Sequence, residues 1–90
     1  MDKKELIAKL NILGVDSNLY SLDGELNPDC IILYNSYNDW TVFYLDERGV
    51  RNDEKIFHSE SKAYEYIYKL FKESKDLEKK NSRNKSLIMD

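Results

Sequence analysis

Residues 40–63 restrict the possible fold more than any other part of this chain, because strand-type alternation there gives way to helical spacing. The run W-T-V-F-Y-L at residues 40–45 places large side chains on both faces of an extended strand, and Gly49 supplies the turn after it. Ser59 is then a suitable N-cap for a helix in which apolar residues recur at helical spacing from Ala63. A strand with two apolar faces is predicted to be central in its sheet, with helices on one face and partial cover or a partner on the other.

Helix and strand patterns elsewhere complete the predicted order of elements. Asp2 is a suitable N-cap for a first helix, and Gly14 can end that helix in the left-handed conformation. The pair Asp23-Gly24 tolerates the positive φ angles of a tight hairpin. The predicted elements are a helix at 2–13, strands at 20–22, 30–34 and 40–45, a connection at 35–39, a short solvated edge strand at 54–58, and a helix at 60–75. This order predicts an α+β fold, with an antiparallel sheet of three to four strands on which an N-terminal and a C-terminal helix pack.

The length and composition of the chain indicate its organisation. Ninety residues can build one small hydrophobic core, so we expect a single domain over residues 1–75. Residues 76–90 are predominantly polar, and we expect them to form a frayed or disordered tail. A single cysteine, Cys30, excludes an internal disulfide, and neither a signal peptide nor an apolar stretch of about 18 residues is recognisable. We therefore expect a cytoplasmic protein that does not span a membrane.

Few residues offer catalytic or metal-binding chemistry. His58 is the single histidine, and it has no second ligand at metal-binding spacing, which favours a structural or solvent-exposed role. Cys30 lies in an apolar strand and is expected to be a buried hydrophobe rather than a nucleophile. The paired carboxylates Asp46-Glu47 and Asp53-Glu54 leave a small carboxylate-dependent enzyme open as an alternative, although adjacent strand residues point to opposite faces. No metal ion or other cofactor is expected.

Charge is distributed unevenly along the chain. Residues 16–60 contain ten acidic and three basic side chains, a net charge of −7, whereas the whole chain carries −3. An acidic body repels phosphate, so binding to nucleic acid or to a membrane surface is not expected. The same surface, together with exposed tyrosines, can complement a basic protein partner and accelerate association with it. Alternatively, the negative charge serves only to keep a cytoplasmic protein soluble.

The run W-T-V-F-Y-L-D-E-R-G, a short charged insert and the run I-F-H-S-E-S-K-A-Y-E-Y-I form an extended motif. It resembles the motif of small immunity proteins of bacterial polymorphic-toxin systems, contact-dependent or type VII-secreted, which carry W-x-V-x-Y-x-x-E-R-G followed by F-x-S-E-x-x-A. The leading runs L-N-I-L-G-V and Y-S-L-D-G are similar as well, so the resemblance covers about residues 6–71. It implies a cytoplasmic, non-enzymatic protein that binds a cognate toxin domain and blocks it by stoichiometric occlusion.

The resemblance also separates residues expected to be structural from those expected to contact a toxin. The positions that match the motif are Trp40, Glu47, Arg48, Gly49, Phe57, Ser59, Glu60 and Ala63. Among them, Gly49 suits a turn and Ala63 a packed helix face, and Glu47 with Arg48 is expected to pair with Glu60. The predicted partner-binding residues are Tyr34, Tyr37, Asp39, Trp40, Asp46, Glu47, Asp53 and Glu54.

Other functions remain open alternatives on the sequence alone. One is a generic interaction or adaptor module whose acidic face docks a partner other than a toxin. Another is the small enzyme, for which loss of turnover on mutating Asp46 or Glu47 would be diagnostic. In addition, the edge strand predicted at 54–58 could pair with a second copy of the chain across a two-fold axis, giving a homodimer.

Overall fold

The fold is α+β, as the order of helical and strand patterns predicted. The computed structural model describes the backbone of residues 1–89 and the side chains of residues 1–77. Two helices pack on one face of a four-stranded sheet, in which the strands lie side by side in their order along the chain. The elements are α1 (Lys3–Leu13), a short 3-10 helix (Ser17–Leu19), β1 (Tyr20–Ser21), β2 (Cys30–Ser36), β3 (Asp39–Leu45), β4 (Arg51–Phe57) and α2 (Glu60–Met89).

Helix α1 begins and ends where its capping residues predict. The Asp2 carboxylate accepts a hydrogen bond from the Glu5 backbone N–H at 2.8 Å, which satisfies one of the free donors of the first turn. At the other end Gly14 lies at φ 79°, and the Val15 N–H donates to the Leu10 carbonyl. This is the predicted Schellman stop, and it directs the chain back towards the sheet.

The first strand departs from the prediction. β1 pairs with β2 in parallel, with Tyr20 opposite Ile31, whereas the other two strand pairs are antiparallel. The predicted hairpin at Asp23-Gly24 is therefore wrong, and the sheet is mixed rather than wholly antiparallel. Gly24 does adopt a positive φ of 81°. The chain then continues through residues 25–29 to the start of β2, because parallel strands require a crossover connection between their opposite ends.

The two antiparallel connections differ from the prediction in length. β2 continues to Ser36, so its connection to β3 is the two-residue loop Tyr37-Asn38 rather than residues 35–39. β4 starts at Arg51 rather than at residue 54, because its charged first residues pair with the end of β3. β4 is an outer strand, as predicted, and a bulge near Asp53 interrupts its pairing. Bulges and charged side chains limit the pairing of such an edge with other chains, and the homodimer stays a prediction.

The main core lies between the helices and one face of the sheet. Its residues come from both helices and from the central strands, which is why the helices are held to this face. The fully buried aliphatic members include Leu6 and Leu10 of α1, Ala63 and Ile67 of α2, and Leu33 and Val42 of the sheet. The Tyr64 hydroxyl at the margin of this core donates to the Glu60 carboxylate at 2.8 Å.

Helix α2 is longer than its apolar spacing predicts. Its first turn is capped by Ser59, whose hydroxyl oxygen accepts a hydrogen bond from the Lys62 N–H at 3.4 Å. The helix does not end at residue 75 but continues to Met89, and no glycine or proline occurs along this length to interrupt it. The frayed tail predicted over residues 76–90 concerns side chains that lie mostly outside the described ones and stays a prediction.

The opposite face of the sheet, which we call the second face, is only partly covered. Cys30, Ile32, Phe43 and Leu45 alternate with the helix-side residues and form a second buried cluster. The guanidinium of Arg51 lies over the Phe43 ring at 4.5 Å and closes one side of this cluster. Cys30 is buried, as predicted, and its Sγ donates to a backbone carbonyl at 3.1 Å. The cluster occupies one end of the second face and leaves the other end open.

Candidate functional site

An exposed row of side chains crosses the open end of the second face. Tyr34, Thr41 and Ile56 lie opposite one another on three adjacent strands. Tyr34 is 42% exposed and Ile56 is 61% exposed, so this row presents an aromatic and an aliphatic side chain to solvent side by side. We call this region the open half-face. It comprises Tyr34, Asp39, Thr41, Glu54, Ile56 and His58.

The rim of the open half-face carries a carboxylate–imidazole contact and one ion pair. The Asp39 carboxylate lies 2.8 Å from the His58 ring nitrogen Nδ1; the His58 side chain is largely exposed and that of Asp39 about half exposed. Glu54 lies 3.8 Å from the Arg51 guanidinium, which also lies 6.0 Å from the centre of the Tyr34 ring. An apolar centre with a polar rim is the arrangement typical of protein–protein interfaces.

Tyr37 projects from the hairpin next to the open half-face in a costly conformation. Its side chain is 99% exposed, and its backbone lies at φ 55° in the left-handed region. In a two-residue hairpin loop this region favours glycine or asparagine, because a β-carbon clashes with the backbone there. Nothing in the packing of the domain explains a tyrosine at this position. Such strain is concentrated at binding and catalytic sites.

The structure places the predicted partner-binding residues in four locations rather than in one patch. Four of them belong to the open half-face or its adjoining loop: Tyr34, Tyr37, Asp39 and Glu54. Trp40 lies on the helix side, packed against the main core. Asp46 and Glu47 lie beyond the far end of β3, roughly 20 Å from Tyr37 along a seven-residue strand. Asp53 lines a cavity on the helix side.

Asp46 is bound within its own turn and is not a free surface carboxylate. One of its oxygens accepts hydrogen bonds from the backbone N–H groups of Arg48 and Val50, at 3.0 and 2.9 Å. The side-chain amide of Asn52 lies 3.4 Å from the other oxygen. These hydrogen bonds, chiefly that from Val50, lower the pKa of the Asp46 carboxyl. The carboxylate therefore holds the connection between β3 and β4.

Asp46→Asn should reduce stability at neutral pH and matter less in acid. Because the folded pKa is depressed, the contribution of Asp46 is fully present above its ordinary pKa of 3.8 and is lost as the pH falls through the lower, folded value. Urea unfolding of both proteins between pH 7 and pH 2 tests this. A destabilisation of equal size at every pH would contradict a role for the charge. Glu47→Gln, at an exposed neighbour in the same turn, is the control and should have little effect at any pH.

A groove runs between α2 and the sheet on the helix side. Two adjoining cavities of about 320 and 310 Å³ share Ile31, Tyr44 and Leu70 as lining residues. The Tyr44 hydroxyl donates to the Asp29 carboxylate at 3.1 Å at one end of the groove. This hydrogen bond is the main cause of a raised pKa of Tyr44, to which the charge of Asp46 also contributes. The groove therefore combines an apolar floor with nearby carboxylates.

Several residues that match the immunity-protein motif serve the fold. Gly49 lies at φ 82° in the turn after β3, and Ala63 is completely buried in the main core. Phe57 packs against Tyr66 of α2, with ring centres 5.2 Å apart. Among the described ion pairs, none joins Glu47 or Arg48 to Glu60, whose carboxylate instead accepts the hydroxyl of Tyr64.

Sequence reasoning missed three members of the open half-face: Thr41, Ile56 and His58. The alternation within β3 places Thr41 and Phe43 on the same face, so it carried part of this information. The residue opposite Thr41 depends on the register of β4, which shifts at the bulge near Asp53 and has no local sequence pattern. The sequence alone therefore does not indicate that Ile56 lies beside Thr41 on the same surface.

Metal binding and thiol reactivity can be assessed from the described side chains. No group of three His, Cys, Asp or Glu residues there is arranged to hold a metal ion. Burial, with a smaller contribution from Asp29, raises the pKa of the Cys30 thiol and disfavours the reactive thiolate. In the described part of the chain no helix is both long enough and apolar enough to cross a membrane.

No protein-family model, curated protein or solved structure matches this chain. The resemblance to immunity proteins accordingly stays a prediction. The surface features that bear on function are the open half-face, the Tyr37-Asn38 loop and the groove.

Proposed function

We propose that this protein is an immunity protein that binds a cognate bacterial toxin domain and neutralises it by stoichiometric occlusion, without turnover of its own. The observation that carries the proposal is the strained and fully exposed Tyr37 beside the open half-face. The exposed Tyr37 ring adds no packing to the domain, and its backbone conformation is unfavourable. We therefore attribute its presence to contacts with a partner. Tyrosine is enriched at the sites that dominate the energy of protein interfaces.

The open half-face supplies the surface around this tyrosine. Ile56 and Tyr34 give an apolar centre, and Asp39 and Glu54 give acidic rim positions that complement a basic partner. The row of three side chains spans only about 10 Å between its outer strands. A standard interface of about 800 Å² per partner must therefore also include the Tyr37-Asn38 loop and the outer edge of β4.

Occlusion of a toxin is the function that this surface supports best. A nuclease, or another enzyme that acts on a negatively charged substrate, presents a basic cleft, and carboxylates can occupy the positions of phosphates there. A nanomolar complex needs about −12 kcal/mol of binding free energy, which a few aromatic and aliphatic anchors in an interface of standard size can provide. The cytoplasm is the compartment in which such an inhibitor would act.

The experiment is co-expression with the toxin domain encoded immediately upstream, scored by bacterial survival and by co-purification of a one-to-one complex. Ile56→Arg places a bulky cation in the centre of the open half-face and should abolish protection. Ile12→Arg is the matched control, because Ile12 is also an exposed isoleucine, 85% accessible, but lies on α1. We expect that control to protect as well as the natural sequence.

Cell death with no complex would overturn the immunity proposal. Capture of a different, non-toxic partner through the same surface would then favour the adaptor alternative, which uses the same exposed row. Equal loss of protection by Ile56→Arg and Ile12→Arg, with both proteins folded, would show that the open half-face is not the interface.

A further inference from the structure

We propose that the groove between α2 and the sheet binds an arginine or lysine side chain of a partner protein. The proposal does not depend on the immunity function, because it concerns the helix side of the sheet and not the open half-face. Its basis is the combination of an apolar floor, carboxylates near both ends and a volume suited to a side chain.

The floor of the groove is apolar and continuous. Ile31, Tyr44 and Leu70 line both cavities, and Phe71 and Leu19 extend the lining at one end. Each cavity, at about 320 or 310 Å³, lies at the lower limit of the range of roughly 300–1,000 Å³ for small-molecule pockets. The aliphatic stem of a long side chain can lie along such a floor while its charged head remains near water.

Carboxylates lie at both ends of this floor. Asp29 lines the cavity that contains Phe71, and its Oδ1 already holds the Tyr44 hydroxyl, so its Oδ2 is oriented by that hydrogen bond. Asp53 lines the other cavity. The Nζ of Lys55, the basic group in the lining, lies 5.1 Å from the centre of the Tyr66 ring and is engaged in a cation–π contact.

Both carboxylates lie on backbone in the left-handed region. Asp29 lies at φ 59° and Asp53 at φ 54°, and with Tyr37 they are the non-glycine residues at positive φ in the described backbone. Glycine would remove the steric cost at either position, and asparagine would keep the geometry without the charge. The negative charge of these two carboxylates beside an apolar groove is complementary to a cation. An anionic occupant would be repelled by these exposed carboxylates, and an apolar occupant would gain nothing from them.

Three blocked pentapeptides with one apolar body and different central residues test the proposal. The probes are acetyl-Ala-Leu-Arg-Leu-Ala-amide and the same peptide with citrulline, which is nearly isosteric and uncharged, or with glutamate. Binding is followed by NMR at low salt, through the amide shifts of Ile31, Tyr44 and Leu70. We expect the arginine peptide to bind about fivefold more tightly than the citrulline peptide, equivalent to about 1 kcal/mol, the upper end for an exposed ion pair.

Variants locate the binding within the protein. Asp29→Asn keeps the left-handed backbone accessible and should bring the affinity for the arginine peptide closer to that for the citrulline peptide, with Asp53 supplying the remaining charge. Asp39→Asn removes a charge from the open half-face and should leave the affinity unchanged. Equal affinity for the three peptides, no shift at the groove amides, or the same loss in both variants would overturn the proposal.

Discussion

Replacing Tyr37 with glycine should make the protein more stable and its complex weaker. Glycine adopts φ 55° without the clash of a β-carbon, and the tyrosine ring, 99% exposed, gives up almost no contact within the domain when it is removed. We expect the free energy of unfolding to rise by about 1 kcal/mol. If Tyr37 anchors the partner, binding should weaken by at least about 30-fold, the equivalent of 2 kcal/mol for an interface hot spot.

Urea unfolding measures the first effect, and calorimetric titration with the partner identified by co-expression measures the second. Tyr37→Phe is the matched control, because it keeps both the ring and the backbone strain. Its stability should stay within about 0.5 kcal/mol of the natural protein, and most of its affinity should remain. A glycine variant that binds as tightly as the natural protein would remove Tyr37 from the interface. One that is less stable would show that the strain at Tyr37 is smaller than the conformational entropy that glycine adds to the unfolded chain.

Opposite signs of the two effects are what distinguish a binding residue from a structural one. A residue retained for folding loses stability on replacement, and any loss of binding follows from that. Stabilising substitutions at functional positions characteristically reduce function, since the natural sequence has accepted strain for the sake of a contact. Tyr37 is suited to this test because its side chain, almost fully exposed, makes little contact with the rest of the domain.

Those parts of the fold that depend on local sequence could be predicted. Asp2 and Gly14 determined the ends of α1, and Gly49 determined the turn after β3, since each satisfies a backbone requirement within a few residues. The parallel pairing of β1 could not be predicted in this way. Gly24 has the positive φ that the Asp-Gly pair predicted. Whether the chain then forms a hairpin or a crossover depends on the distant strand with which β1 pairs.

The candidate site, too, could be predicted only where local sequence determines the arrangement. Strand alternation places Trp40 and Thr41 on opposite faces, but the sequence does not state which face the helices cover. In the structure the helices cover the face that carries Trp40, and the neighbouring Thr41 belongs to the open half-face. Likewise, the acidic composition around Asp46 was visible, whereas the hydrogen bonds that engage its carboxylate depend on the geometry of the turn.

The division of the second face into a buried end and an open end predicts very different costs for two truncations. Phe43 is 1% exposed, belongs to the second buried cluster and stacks with Arg51. Phe43→Ala should therefore destabilise the protein by about 3–4 kcal/mol, through lost burial and the cavity that remains. A domain of ninety residues has roughly 5–13 kcal/mol of stability, so this variant should show a much lower urea midpoint or fail to fold.

Ile56→Ala is the matched truncation at the open end. Ile56 is 61% exposed in the outer strand, so its removal should cost no more than about 1 kcal/mol in the isolated protein. The effect on the complex should be larger. Ile56 would be buried by the partner there, so Ile56→Ala should weaken binding. A large loss of stability from Ile56→Ala in the isolated protein would mean that the domain itself covers this residue. The open half-face would then be core, and the surface on which the proposed interface depends would not exist.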